Sequence, residues 1–369
     1  MTNTTYESTT GFDLDPTDDS ISPGDGQNSD AGWSVGGLAN SPVVRASYGT
    51  ISVIGIVGNL LVCFIFFRVP SLRTSTSYFL VHLSVVDLLS CIMVIPSHLF
   101  PDPPPMKGRF GDFVCRFYFS KYPMWTFILV SVGSLVLINL ERFVAIVYPL
   151  RYKSLYTLRN TILMIAACWL YSLAHNSFFF AVYAFTDETG CQYVGFSSDT
   201  VRFVFGVYHY FIYYPGPLGF MIATNCKMVR KLKQQISKLN QQKGRAGMAG
   251  QRELWQAQAA HELQKTLLFV VITFGILWGP NQTMFFCFLM TAPLDFTQAY
   301  YHAGVIIGVC NSCVNPLIYT LKNKAFRDGL KGLAGCCRAN RVEDLTEATA
   351  TGSLALTPEA EGRTATDHE

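Results

Sequence analysis

The sequence predicts an all-α membrane protein, a bundle of seven transmembrane helices. Two observations carry this. Half of the 369 residues are hydrophobic and only 14% are charged, against about 25% in a soluble globular domain. The apolar residues also gather into seven runs, each long enough to span a hydrocarbon core about 30 Å thick at 1.5 Å per helical residue.

The runs fall near 43–67, 77–100, 117–147, 161–184, 203–226, 266–290 and 300–320. The second holds Asp87 as a buried acid, and the third ends in Glu141-Arg142. The fourth and sixth carry almost no charge, and the fifth is broken by Pro215 and Pro217. The seventh carries Asn311, Ser312 and Asn315. All-round apolar segments leave no amphipathic faces for water, which excludes a large soluble helical protein. A tail of 1–42, a bundle of 43–332 and a tail of 333–369 follow as domains.

Charge segregation sets the orientation. The stretch 227–252 holds eight Lys or Arg, whereas the first 44 residues hold none and seven Asp or Glu. By the positive-inside rule the N-terminus is expected outside and the C-terminus inside. Residues 1–30 lack an apolar h-region, so the first span is expected to direct insertion itself. Asn3-Thr4-Thr5 is a glycosylation acceptor on the outer side, while Asn281-Gln282-Thr283 matches the same pattern within a span and reads as structural. Of the eleven cysteines, Cys115 and Cys191 fall on the outer, oxidising side and are expected to form a disulfide. Cys336 and Cys337, beside Lys331 and Arg338, suit palmitoylation.

Ionisable groups at membrane depth point to mechanism. No basic residue on the first, third, sixth or seventh span stands at the depth of Asp87, but Asn59, Ser131, Asn311, Ser312 and Asn315 do. Oxygen donors around one carboxylate suit a small hard cation such as Na⁺, or equally a hydrated hydrogen-bond network. Glu141 and Arg142 read either as snorkelling charges or as a pair made in one conformation and broken in another. Pro96, Pro123, Pro215, Pro217, Pro280 and Pro316 permit kinks. Trp278, two residues before Pro280, would swing with one of them.

With these motifs in order on their spans, the chain resembles a rhodopsin-like (class A) G-protein-coupled receptor from about residue 43 to 337. The matching residues are Gly58-Asn59, Leu83 to Asp87, Cys115, Glu141-Arg142-Phe143, Trp169, Pro217, Phe274 to Trp278 and Pro280, Asn315-Pro316 with Tyr319, and Phe326. The resemblance implies a short amphipathic helix after the seventh span. It implies an allosteric Na⁺ pocket at Asp87, Ser131, Asn311 and Asn315, and an activation switch at Phe274 and Trp278. Arg142 would be released toward the G protein, with Tyr319 as its inward-swinging partner.

Departures from the family pattern carry expectations too. Asn225 stands where a tyrosine is usual, and Ala260 where an acid often locks the arginine; Glu262 lies about 200° away around the helix. These predict looser resting-state locking and some basal signalling. The Cys115-to-Arg142 segment is long for the family and contains Pro123, which predicts a bulge.

No acid lies between Cys115 and Leu140, and Met124 stands nearest to the position where amine receptors carry one. Val309 occupies the position of the opsin lysine. An amine or retinal ligand is therefore not expected. The expected ligand mouth comprises His98, Met124, Asn281, Gln282, Phe285 and His302, under acidic loops bearing Asp187, Glu188, Asp199 and Asp295. Such loops would steer a cationic peptide; a small lipid or carboxylic acid is the alternative.

The expected partners are a heterotrimeric G protein, and arrestin and a receptor kinase on the Thr-rich tail from Thr346 to Thr366. Anionic membrane lipids would meet the 227–252 stretch, and no nucleic acid is expected. His261-Glu262-Leu-Gln-Lys265 falls short of a zinc motif, so an enzyme is not expected. A secondary transporter remains the alternative from another class.

Overall fold

The computed structural model describes residues 41–68, 75–101, 103–104, 106–242, 248–295, 298–322, 326–327 and 330. Asn3, Cys336, Cys337 and the Thr-rich tail lie outside the described residues, as does the side chain of Tyr319. Most of the expected short helix after the seventh span also lies outside them, although Phe326 is helical and buried.

Helix α1 (Pro42–Arg68) packs on α2 (Ser75–His98). The third crossing comprises α3 (Gly108–Val114), a π-helical turn (Cys115–Phe119) and α4 (Tyr122–Val147). A short α5 (Pro149–Leu155) leads to α6 (Leu158–Asn176) and the turn α7 (Phe179–Val182). A hairpin of β1 (Tyr183–Thr186) and β2 (Gly190–Tyr193) precedes the fifth crossing, α8 (Asp199–Tyr213) and α9 (Pro215–Gln242). Helices α10 (Met248–Leu289) and α11 (Ala299–Lys322) complete the bundle.

Contacts run α1 to α2, α2 to α4, α4 to α6 and α9, α9 to α10, α10 to α11, and α11 back to α1. This closes a ring around α4. The third crossing is 61% buried along its apolar stretch, against 22% for the fourth, so α4 forms the centre and α6 the periphery. Val53, Val57 and Phe64 on α1, Leu163 and Leu170 on α6, and Phe203, Val207 and Phe211 on α8 all point outward. Contiguous outward apolar faces of this kind are the lipid-facing surface of a membrane protein.

Six helical segments among the described residues are long and apolar enough to cross a membrane unaided. The fifth crossing falls short of that because it is split at Tyr214. Pro215 and Pro217 have no N–H to offer the carbonyls of Phe211 and Tyr213, so the helical ladder lapses there. The Phe211 carbonyl oxygen would stand 2.6 Å from any Cβ at Gly216, so the residue between the two prolines must be glycine-sized. Helix continuity resumes with the Leu218 amide donating to the Tyr214 carbonyl at 3.0 Å.

The bulge expected in the third crossing is present. The Ser120 amide donates back to the Cys115 carbonyl at 3.2 Å, five residues away, and Lys121 then adopts a left-handed φ of 59°. Helix α4 restarts with Pro123 in its first turn, where a missing N–H is harmless. Cys115, in the π-turn, is bonded to Cys191 on β2, which draws the hairpin across this end of the bundle. A second tie is the Gly108 amide donating to Asp187 Oδ1 at 2.9 Å.

Candidate functional site

Three polar clusters lie in order along the bundle axis. At the hairpin end a cavity is lined by Phe119, Ser120, Lys121 and Trp125 of the third crossing, Asn176, Phe178, Phe179 and Val182 after the fourth, and Tyr183 and Tyr193 of the hairpin. His209 and Tyr213 of α8, Asn281, Gln282, Met284, Phe285 and Phe288 of α10, and Tyr301 of α11 complete the wall. Among the described residues, Lys121 is the single charged residue of this lining and no carboxylate belongs to it. Aromatic rings with a few fixed amides form a surface for an apolar or aromatic ligand carrying amide groups.

Of the six expected ligand residues, Asn281, Gln282 and Phe285 line this cavity; Met124, His98 and His302 do not. The left-handed turn at Lys121 resets the third helix so that Trp125 faces the cavity, while Met124 packs into the core. His98 and His302 flank Tyr48 in a separate aromatic group, with ring centroids 4.1 and 6.4 Å from it, and His98 Nε2 lies 3.2 Å from Lys121 Nζ.

Sequence reasoning missed Trp125, Asn176, His209 and Tyr213. The Tyr213 hydroxyl donates to Asn176 Oδ1 at 2.8 Å, and His209 Nδ1 stands 3.2 Å from His175 Nε2. With 28 Phe and 18 Tyr in the chain, aromatic composition alone could not single these residues out.

Below the cavity, Phe274 and Trp278 are buried, Trp278 against Gly308. A Cβ at Gly308 would meet the Trp278 ring at 2.9 Å, so this glycine makes room for the indole.

The middle cluster gathers on Asp87, which is fully buried. Ser131 Oγ donates to Oδ1 at 2.7 Å, Asn315 Nδ2 donates to Oδ2 at 2.9 Å, and the Ser312 hydroxyl is a third hydrogen-bonding neighbour. Asn59 Nδ2 donates to the carbonyls of Gly55 and Ser312, each at 2.9 Å, while its Oδ1 is a buried acceptor without a protein donor. Asn311 is buried on the same helix. Ser131, Ser312 and Asn315 are thus brought to Asp87, with Asn59 tied to the Ser312 backbone, and no Lys or Arg forms an ion pair with Asp87 among the described residues.

His82 knits three crossings on the far side of α2. The Trp169 indole, which can only donate, binds its Nε2 at 2.9 Å, so Nδ1 carries the hydrogen that reaches Ser134 Oγ at 3.0 Å.

The third cluster lies at the end opposite the hairpin. Arg142 clasps Glu141 through Nε at 2.5 Å and Nη2 at 2.8 Å, and the Tyr152 hydroxyl donates to Glu141 Oε1 at 2.5 Å. Beside it, Asn225 Nδ2 of α9 donates to Asn139 Oδ1 of α4 at 2.6 Å, and Gln264 Nε2 of α10 donates to Asn225 Oδ1. Asn225 and Ala260 occupy the positions at which the resemblance implies a tyrosine and an acid. Glu262 pairs with Lys265 on the exposed face at 2.7 Å, away from Arg142. Gln264, one turn from Ala260, was not foreseen.

A sequence model described as "7 transmembrane receptor (rhodopsin family)" matches residues 58–319. Galanin receptor 2a of Danio rerio is 26% identical over 82% of this chain and 80% of its own length. Neuromedin-U receptor 2 of Homo sapiens is 27% identical over 77% of this chain and 69% of its own. The allatostatin-A receptor of Bombyx mori is 26% identical over 80% of each. With its motif residues assembled in three clusters along a helical bundle, and with the family match covering most of its length, the chain belongs to the rhodopsin family of seven-transmembrane receptors.

Proposed function

We propose that the protein sits in the plasma membrane with its N-terminus outside, binds an extracellular peptide in the hairpin-end cavity, and activates a heterotrimeric G protein at the opposite end. The observation that carries the ligand reading is the lining itself, aromatic and amide-rich with no carboxylate among the described residues. The relatives named as receptors for galanin, neuromedin U and allatostatin A support a peptide. A cationic segment would meet Asp187, Glu188 and Asp199 at the rim, while an aromatic, uncharged end enters the cavity. A ligand bearing a carboxylate is the second reading, favoured by Lys121 in the lining.

Asp87 takes an allosteric Na⁺ in this proposal. Its carboxylate already accepts from Ser131 and Asn315, an arrangement suited to the ionised form, and a buried ionised group needs a counter-charge. Asp87, Ser131, Ser312 and the orphan Asn59 Oδ1 would supply the oxygen ligands a hard cation prefers. The ion supplies that charge, and the side chains hold the second, third and seventh crossings around it. Arrestin and receptor kinase on the C-terminal tail, glycosylation at Asn3, palmitoylation at Cys336 and Cys337, and anionic lipids against the basic 227–252 stretch belong to the same reading.

The test is a screen of peptides and of lipid acids on cells carrying the receptor with chimeric Gα subunits. A response to a peptide that is lost in Trp125→Ala and Phe285→Ala supports the reading; responses confined to lipid acids overturn it.

A further inference from the structure

Asn139, Asn225 and Gln264 are buried side by side and joined directly through their side-chain amides. Each is about 1% exposed. Donors and acceptors alternate in one direction: Gln264 to Asn225 Oδ1, Asn225 to Asn139 Oδ1, and Asn139 Nδ2 to the Leu135 carbonyl at 2.9 Å. Asn225 Nδ2 also reaches the Met221 carbonyl at 2.7 Å. None of the three has a buried side-chain nitrogen or oxygen without a partner.

The chain of amides joins α4, α9 and α10, the three helices that must part for a G protein to enter. It sits where the two groups usual for this family, a tyrosine on the fifth crossing and an acid on the sixth, are replaced by Asn225 and Ala260. It coexists with a closed Arg142–Glu141 pair, so it belongs to the resting arrangement. Outward movement of α10 must strip Gln264 from Asn225 and leave both amides to find water.

We propose that Asn139, Asn225 and Gln264 are positioning residues that latch the resting receptor shut in place of the missing charge lock, and that release of the Gln264–Asn225 bond is a step of activation. The latch has no net charge, so it holds equally at any ionic strength. It rests on membership of the receptor family and not on the nature of the ligand, so failure of the peptide screen leaves it standing.

The experiment is agonist-free guanine-nucleotide exchange in membranes carrying the full-length receptor, with a panel covering each Gα class, expressed per receptor at the surface. Gln264→Met keeps side-chain length and apolar fit, and Asn225→Leu removes the middle amide. Each is expected to raise basal exchange about tenfold, the scale of one buried hydrogen bond whose partner is left unsatisfied. The double variant is expected to rise no further than the larger single one, because both remove the same bond. General damage to the fold would lower exchange per receptor instead. Basal exchange at or below the wild-type level in both single variants with every Gα, or a double variant whose effect is the product of the singles, overturns the proposal.

Discussion

The Asp87 cluster and the Asn139–Asn225–Gln264 chain are both buried polar networks that tie three crossings together, yet one is built on a charge and the other on neutral amides. A carboxylate in a low-dielectric core is costly unless an opposite charge accompanies it, so the proposed Na⁺ site would make that cluster sensitive to ions. The amide chain satisfies itself with protein donors and acceptors alone. Separating helices is the only way to break it. On the two proposals together, the resting state would be held at two depths by devices that answer to different variables, ions at one and helix spacing at the other.

The largest expected effect breaks the first device. Asp87→Asn is expected to abolish the dependence of basal and agonist-driven signalling on Na⁺, measured by nucleotide exchange with NaCl replaced by an organic cation at constant ionic strength. Persistence of the wild-type Na⁺ effect would remove Asp87 from the ion site. Gln264→Met sharpens the contrast from the other side: its raised basal exchange is expected to remain suppressible by Na⁺, and loss of that suppression would mean the two devices are one.

A smaller effect is expected between the cavity and the Asp87 cluster. Gly308→Ala places a methyl group 2.9 Å from the Trp278 ring, and overpacking of this kind costs about 1–3 kcal/mol. Agonist potency should shift at least fivefold, read from concentration–response curves at matched surface expression. The smallest concerns Tyr152→Phe, which removes one hydrogen bond from Glu141. It should destabilise the Arg142–Glu141 pair by about 1 kcal/mol, seen as a several-fold rise in basal exchange with no change in Na⁺ response.

Much of this was legible in the sequence, because lipid leaves little choice. Seven apolar runs had to be helices, and Asp87 had to find Ser131 and Asn315, since a buried carboxylate requires hydrogen-bond donors. The interruption of the third crossing was legible through Pro123, because a proline is harmless in a helix's first turn and costly in its interior.

Its consequence was not legible. The left-handed residue at Lys121 fixes whether Met124 or Trp125 meets the ligand, and no local pattern encodes that rotation. Gln264 was invisible for a different reason: a glutamine near the polar end of a long helix reads as surface until the partner on α9 is seen. The resemblance implies a tyrosine and an acid at the positions of Asn225 and Ala260. What replaced them required three distant positions to be superimposed.

Helix α10 runs unbroken through 42 residues, from Met248 to Leu289, with Pro280 near one end. At 1.5 Å per residue, Trp278 stands about 3 Å from that proline, Gln264 about 24 Å and Met248 about 48 Å. The helix is thus a lever with a gear ratio of roughly 16 between the ring at the cavity floor and the inner tip. A shift of about half an ångström at Trp278 becomes about 4 Å at Gln264 and about 8 Å at Met248 if the helix pivots rigidly at Pro280. Gln264 sits at mid-arm, where travel already exceeds the reach of a hydrogen bond while the leverage resisting it is still substantial. On such a rigid pivot, a small displacement at the short end would be enough to open the long one.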